Sequence, residues 1–168
     1  FLYVDDNFGT ERPGFVRFYI PYGIWLPSSQ ACILQLWDEL GIPHEAKKQL
    51  HGTALPIIGF LVNTATMSAT MTVESRNALV QFIRDFASEN TRRTLRDFQT
   101  LAGYVNWALN VYPLLRPGLT AVYEKTKGKA QTFGKIWINK SVVTELCWLL
   151  SHLEHATGVF FFRSIYWD

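Results

Sequence analysis

Two adjacent carboxylates, Asp5 and Asp6, follow the apolar run with which the sequence opens, in the stretch Phe-Leu-Tyr-Val-Asp-Asp. Carboxylate oxygens are hard ligands of the kind that Mg²⁺ prefers, and a tight hairpin holds neighbouring carboxylates toward one point. Two divalent cations held in this way activate an attacking hydroxyl and stabilise a leaving pyrophosphate in phosphodiester synthesis. Because an Asp-Asp pair is also common in turns at strand ends, the pair alone leaves a metal site and a simple acidic turn both open.

The residues around the pair predict a β-hairpin with its tip at residues 5–7. Residues 1–4 are strand formers, and Asp-Asp-Asn followed by Gly9 is typical of a turn. A second β-favouring run covers residues 15–20 and ends at Pro21 and Gly23.

A helix is predicted after Pro27, with Ser28 or Ser29 as its N-cap and Gly41 as its C-cap glycine. Its apolar face is predicted from the spacing of Ile33, Leu34, Leu36, Trp37 and Leu40. A polar and basic stretch then covers residues 44–52.

Two strands, residues 55–62 and 66–71, are predicted to form a hairpin that turns at Asn63 and Thr64. From Thr72 onward the periodicity is helical. One helix has an apolar face made by Leu79, Phe82, Ile83 and Phe86.

The next helix is predicted to be capped by Thr94 and to stop at Pro113. Its inner stripe consists of Leu95, Phe98, Leu101, Ala102, Val105 and Leu109. A shorter helix after Pro117, a loop rich in Lys and Gly, a strand over 135–139 and a last helix over 141–155 follow. The expected fold class is α+β, β-rich to about residue 71 and mostly helical after it. Trp107 is expected in the core.

Composition excludes several classes of protein. With 168 residues, 48% hydrophobic and 15% aromatic, the chain is large enough for a hydrophobic core and is not a disordered tail. The sequence contains no apolar run near the roughly 20 residues of a membrane span, so no membrane partner is expected. Cys32 and Cys147 lie far apart, which favours a reducing, intracellular location, cytoplasmic or nuclear. The four histidines form no zinc pattern.

Tyr3-Val4-Asp5-Asp6 resembles the Tyr-x-Asp-Asp motif of the catalytic palm hairpin in reverse transcriptases. The segment Leu-Trp-Asp-Glu-Leu-Gly-Ile-Pro-His-Glu-Ala-Lys-Lys is similar to the part of that family that leads to a lysine near the incoming nucleotide. Lys48 is the best match for this lysine, and Lys47 is the second choice. The stretch Pro-Ile-Ile-Gly-Phe-Leu-Val resembles the glycine-bearing primer-grip hairpin.

The resemblance continues in order through the rest of the chain. Residues 94–117 are similar to the thumb helix and its Pro-terminated exit in fungal retroelements of the DIRS type and their tyrosine-recombinase-bearing relatives. The closing Phe-Phe-Phe-Arg-Ser-Ile-Tyr-Trp-Asp resembles the connection that precedes a ribonuclease H domain, with Asp168 as a connection residue.

This resemblance implies the second half of a palm over residues 1–71 and a helical thumb and connection over 72–168. The implied reaction is template-directed addition of deoxynucleotides to a primer 3′ end, with an RNA template/DNA primer duplex and a dNTP as partners. Asp5 and Asp6 would hold Mg²⁺ or Mn²⁺, and Lys48 would assist the departing pyrophosphate. The primer end would be positioned by Tyr3, Ile58, Gly59 and Phe60.

The family also needs a third aspartate, an earlier part of the palm and fingers, which are expected upstream, with ribonuclease H expected downstream. The 168 residues alone are therefore expected to be inactive as a polymerase. Arg76, Arg92, Arg93 and Arg96 are expected to contact nucleic-acid phosphates, although a solvated basic helix face explains each of them equally well. The rival interpretation is an inactive retroelement remnant or a recruited helical module that binds nucleic acid or protein.

Overall fold

The computed structural model describes residues 2–3, 6–88 and 91–160, and its fold is α+β as predicted. The chain divides between Ile57 and Ile58 into two compact units. In the described ranges, no helix combines the length and apolar character that crossing a membrane requires.

The first unit contains two short antiparallel hairpins and one helix. Strands β1 (Leu2–Tyr3) and β2 (Asp6–Asn7) pair with each other, as do β3 (Val16–Tyr19) and β4 (Ile24–Pro27). A 3₁₀ turn (Ile20–Tyr22) and Gly23, whose φ is 66°, connect β3 to β4. The strand β4 was not predicted, because Pro21 and Gly23 mark a reversal into a hairpin and not the end of the β-structure.

Helix α1 (Ser28–Leu40) ends as predicted and begins differently. The N–H of Gly41, whose φ is 68°, donates to the carbonyls of Trp37 and Asp38, so the C-cap prediction is confirmed. The predicted serine N-cap is wrong, since Pro27 occupies the cap position. The first turn is instead capped from outside by Glu11, whose Oε2 accepts from Ser29 N at 2.9 Å and from Ser29 Oγ at 2.6 Å.

The predicted apolar face of α1 is only partly correct. The buried residues of this unit are Tyr19, Leu26, Ala31 and Leu34, which form one small cluster. Ile33, Leu36 and Leu40 are exposed. A ribbon of two strands covers one narrow stripe of the helix, so the remaining apolar positions stay in contact with solvent. A 3₁₀ turn (Ala46–Lys48) and β5 (Ala54–Ile57) complete the unit.

The second unit begins with antiparallel strands and continues with helices. Strands β6 (Phe60–Asn63) and β7 (Ser68–Met71) form the predicted hairpin, and β10 (Val159–Phe160) pairs with the other edge of β7. The predicted single strand over 55–62 is wrong, because the chain turns at Ile58 and Gly59 between β5 and β6. The φ angles there are 49° and 78°, both in the left-handed region that ends a strand.

The helices of this unit follow the predicted periodicity. Helix α2 (Val73–Phe86) is capped by Thr72, and α3 (Leu95–Ala108) begins with a capping box between Thr94 and Asp97. Strand β8 (Arg92–Thr94) precedes α3 and pairs with β9 (Lys135–Trp137), which is shorter than predicted. A 3₁₀ helix (Pro113–Leu119), α4 (Thr120–Thr126) and α5 (Lys140–Leu153) complete the order.

A larger core lies in this unit, built from the inward faces of α2, α3 and α5. Leu79, Ile83 and Phe86 of α2 are buried as predicted, with Phe82 half-buried. The predicted inner stripe of α3 is also buried, at Leu95, Phe98, Leu101, Val105 and Leu109 with Ala102 partly buried. Both helices were predicted from local periodicity, and α3 also from its Thr94 cap, and these local signals do not depend on tertiary packing.

Candidate functional site

The predicted metal hairpin is a tight antiparallel pair in the backbone. Leu2 pairs with Asn7 and Tyr3 pairs with Asp6, so only two residues connect the strands. The hairpin prediction is confirmed, but Asp6 and Asn7, which were predicted at its tip, belong to strand β2. Asp5 itself lies outside the described residues. Within the part of the chain whose side chains are described, no group of three or more His, Cys, Asp or Glu is arranged to hold a metal.

The lysine predicted near the leaving group lies on the 3₁₀ turn after α1. Lys47 Nζ is 2.9 Å from Glu45 Oε2, and Lys48 Nζ is 3.7 Å from Glu45 Oε1. Hydrogen bonding from Lys47, and then the charge of Lys48, hold the pKa of Glu45 below its usual value. Lys48 is therefore the less restrained of the two amines, and both side chains are largely exposed.

A polar cluster that the sequence pattern did not indicate lies just before these lysines. Asp38 Oδ2 accepts from Tyr19 Oη, and His44 Nε2 lies 3.0 Å from Asp38 Oδ1. The other ring nitrogen of His44 is hydrogen-bonded to Tyr22 Oη. The signal in the sequence was the reversal at Gly41 and Pro43, which brings the end of α1 and His44 together.

The electrostatics of this cluster follow from its hydrogen bonds. The hydrogen bond from Tyr19 is the largest effect and holds the pKa of Asp38 below its usual value; burial opposes it, and the hydrogen bond and charge of His44 add smaller lowering effects. Burial and the neighbouring Asp38 charge raise the pKa values of the Tyr19 and Tyr22 phenols. His44, whose side chain is 8% exposed, is thus held between an ionised carboxylate and a neutral phenol.

The predicted primer-positioning residues Ile58, Gly59 and Phe60 form a turn packed on helix α3. The Phe60 ring stacks on the Trp107 ring with centroids 4.5 Å apart and an interplanar angle of 26°. A Cβ placed on Gly59 would lie 2.7 Å from Trp107 Cζ2, so only glycine fits at this point of the turn. Trp107 packs against the core as expected and also supports this turn.

The four predicted nucleic-acid-binding arginines have different surroundings. Arg92 is exposed, with its guanidinium carbon 4.3 Å from the centroid of the Trp137 ring. Arg96 is exposed in the first turn of α3, and Arg76 is half-buried in the first turn of α2. Arg93 is half-buried, donates to the carbonyl of Asp85 and lies over the Phe86 ring. Arg93 therefore has a structural role that the sequence did not reveal, whereas Arg92 and Arg96 remain available to a ligand.

No protein-family model matches the chain, and no curated protein matches it significantly.

Proposed function

We propose that this chain supplies the catalytic hairpin, the primer-grip turn and the thumb of a retroelement reverse transcriptase. The observation that carries the proposal is the register of the first hairpin, in which Tyr3 pairs with Asp6. This register puts the first and last residues of Tyr-Val-Asp-Asp opposite each other on paired strands, which supports a hairpin that carries the carboxylate pair. The order of hairpin, helix, lysine turn, glycine turn and long helices agrees with the resemblance described above.

Asp5 and Asp6 are the proposed Mg²⁺ ligands. Two adjacent carboxylates provide the hard oxygen donors that Mg²⁺ or Mn²⁺ binds, so the donor set suits the ion. When bound, the metal supplies Lewis-acid activation of the primer 3′ hydroxyl and stabilisation of the triphosphate. The residues of this chain hold the metal and align the primer end.

Lys48 is the proposed cation beside the departing pyrophosphate. Its longer separation from Glu45 supports this role over Lys47. An ammonium group placed where negative charge develops lowers the barrier to bond cleavage.

The turn at Ile58 and Gly59 is the proposed primer-positioning element, together with Tyr3 and Phe60. Its support is the packing on Trp107, which keeps the turn in one conformation. A rigid turn can align a primer end with little loss of conformational freedom on binding.

The proposal is tested by primer extension with the full-length polypeptide that carries this sequence, an RNA template, a DNA primer, dNTPs and Mg²⁺. Asp5→Ala is expected to reduce the extension rate by about a hundredfold or more, because losing a metal ligand costs more than the 10- to 100-fold of an outer-shell change. The matched control is Asp85→Ala, which removes an exposed carboxylate on α2 and should leave the rate unchanged. Full extension by Asp5→Ala would show that the catalytic assignment is wrong.

A second candidate is a nucleic-acid-binding module without catalysis, either an inactive remnant or a recruited domain. It is favoured by the exposed Arg92 and Trp137 pair, which needs no metal. Such a module would bind nucleic acid with steep salt dependence and would be insensitive to Asp5→Ala.

A further inference from the structure

The two-stranded ribbon of β8 and β9 has one buried and one exposed face. Its register pairs Arg92 with Trp137, Arg93 with Ile136 and Thr94 with Lys135. Because side chains alternate along a strand, the middle pair lies on one face and the outer two pairs on the other. The middle pair belongs to the core side, where Ile136 is buried and Arg93 lies over Phe86.

The exposed face, which we call the ribbon face, consists of Arg92, Thr94, Lys135 and Trp137. The Trp137 side chain is 50% exposed although it is the largest residue of the ribbon. Phe133, in the loop directly before β9, is 73% exposed. That loop is attached to the start of α3, since the N–H groups of Arg96 and Leu95 donate to the carbonyls of Thr132 and Gly134 at 3.0 and 3.2 Å.

The charge of this surface is positive among the described residues. Arg92, Arg96 and Lys135 are all exposed, and in the described ranges none forms a salt bridge. The neighbouring carboxylate of Asp97 is engaged in the capping box, where it accepts from Thr94 N at 2.8 Å. Two exposed aromatic rings are thus accompanied by three cations on adjacent segments.

We propose that the ribbon face, together with Phe133 and Arg96, binds single-stranded nucleic acid. Unpaired bases would stack on Trp137 and Phe133, while the three cations contact the phosphates between them. The Arg92 guanidinium lies over the Trp137 ring, so a base would stack on the part of that half-exposed ring that Arg92 leaves uncovered. A duplex keeps its base faces stacked internally and hidden. The positive charge therefore favours a polyanion, and the exposed rings favour a nucleic acid whose bases are unpaired.

This inference does not depend on the polymerase proposal, and it deepens the second candidate function by naming single-stranded nucleic acid as the ligand. Holding a hybrid duplex requires phosphate contacts and no exposed aromatic rings. RNA and DNA share the base and phosphate chemistry used here, and the two are distinguished by experiment.

The test measures binding of the 168-residue chain to dye-labelled oligo(rU) and oligo(dT) of about 12 nucleotides by fluorescence anisotropy. A duplex of the same length is the comparison, and single strands are expected to bind more tightly. Trp137→Ala should weaken single-strand binding by about fivefold to a hundredfold, the range found for loss of one stacked base. Trp137→Phe keeps an aromatic ring and should retain most of the affinity.

Matched controls distinguish base stacking from nonspecific binding to an exposed ring and from an effect of net charge. Trp25→Ala removes a Trp that is 63% exposed in the first unit, and it should leave binding unchanged. Arg92→Ala and Lys135→Ala should each reduce the dependence of log affinity on log salt by about 0.7. Arg12→Ala makes the same change in net charge at an exposed position of the first unit and should not alter this slope.

Either of two results would overturn the proposal: equal affinity for duplex and single strand, or equal losses from Trp25→Ala and Trp137→Ala. Absence of single-strand binding at low salt would also overturn it and would point to a protein as the occupant of the ribbon face. A preference for rU over dT, or the reverse, would support the site and identify its ligand as RNA or DNA. Asp5→Ala should leave single-strand binding unchanged. Failure of the single-strand proposal is therefore distinguishable from failure of the catalytic proposal.

Discussion

Two independent constraints allow only glycine at position 59. Its φ of 78° lies in the left-handed region, where an L side chain contacts its own backbone unfavourably. The Trp107 ring also occupies the space that a side chain would need. The proposed primer-positioning turn and the helix α3 are therefore joined by direct ring-to-backbone packing.

Gly59→Ala is expected to destabilise the protein more than Gly128→Ala. Gly128, at φ 72°, has nothing within 4 Å of an added Cβ, so its substitution carries only the backbone cost of about 1–2 kcal/mol. At Gly59 the contact with Trp107 should add about 1–3 kcal/mol. Urea unfolding of both variants measures the difference in their free energies of unfolding. Equal losses of unfolding free energy would mean that the Trp107 ring moves aside without cost.

At the scale of elements, the end of α1 is attached to its surroundings by the Asp38 cluster. Asp38 lies in the last turn of α1, Tyr19 in β3, and His44 in the segment that leads to Lys48. The hydrogen bonds of one carboxylate thus connect three separate parts of the first unit and restrict where the lysine turn begins.

Asp38→Asn is expected to reduce stability most near neutral pH and least in acid. The hydrogen bond from Tyr19 holds the folded-state pKa of Asp38 below its ordinary value. Its ionised form therefore stabilises the fold above that value, and the stabilisation is lost as the pH falls through the folded-state pKa. Urea midpoints of wild type and variant should begin to converge below about pH 5 and continue to converge as the pH falls through the folded-state pKa.

The exposed neighbour Glu39 provides the control for this experiment. Glu39→Gln removes the same charge one residue away and should leave the pH dependence of the wild type unchanged. If the difference in urea midpoint between wild type and Asp38→Asn stays constant with pH, the carboxylate charge does not stabilise the cluster.

On the scale of the whole molecule, the two compact units have unequal cores. The first buries Tyr19, Leu26, Ala31 and Leu34, while Ile20 and Trp25 are 82% and 63% exposed. The second has a continuous core that draws on four helices and the strand β7. Buried apolar area is the main source of stability, so most of the stabilisation lies after residue 57.

Residues 58–168 expressed alone are therefore expected to fold and to unfold cooperatively, with a thermal midpoint within about 5 °C of the parent chain. Residues 1–57 alone should show no cooperative transition, because a short chain with two-stranded ribbons buries too little apolar surface. Circular dichroism during heating measures both. A non-cooperative 58–168 would show that its core requires the preceding residues.

The amino-acid sequence by itself determined the features that depend on neighbours along the chain. Helices α2 and α3, their threonine caps and their buried stripes follow from spacings of three and four residues. The first hairpin follows from turn residues between strand formers. The carboxylate pair, Lys48 and Gly59 were candidates from the sequence because each lies in a short motif. The turn at Ile58 and Gly59 was not predicted, since the residues around it indicated one continuous strand.

Only the tertiary structure decided the features made by residues that are distant in sequence. The packing of Trp107 on Gly59, the hydrogen bonds of Asp38 and the ribbon face each join separate segments. The exposed side of α1 and the structural role of Arg93 depend on which surfaces neighbouring elements cover. Periodicity shows that a helix has an apolar face, but the number and width of its neighbours determine how much of that face is buried.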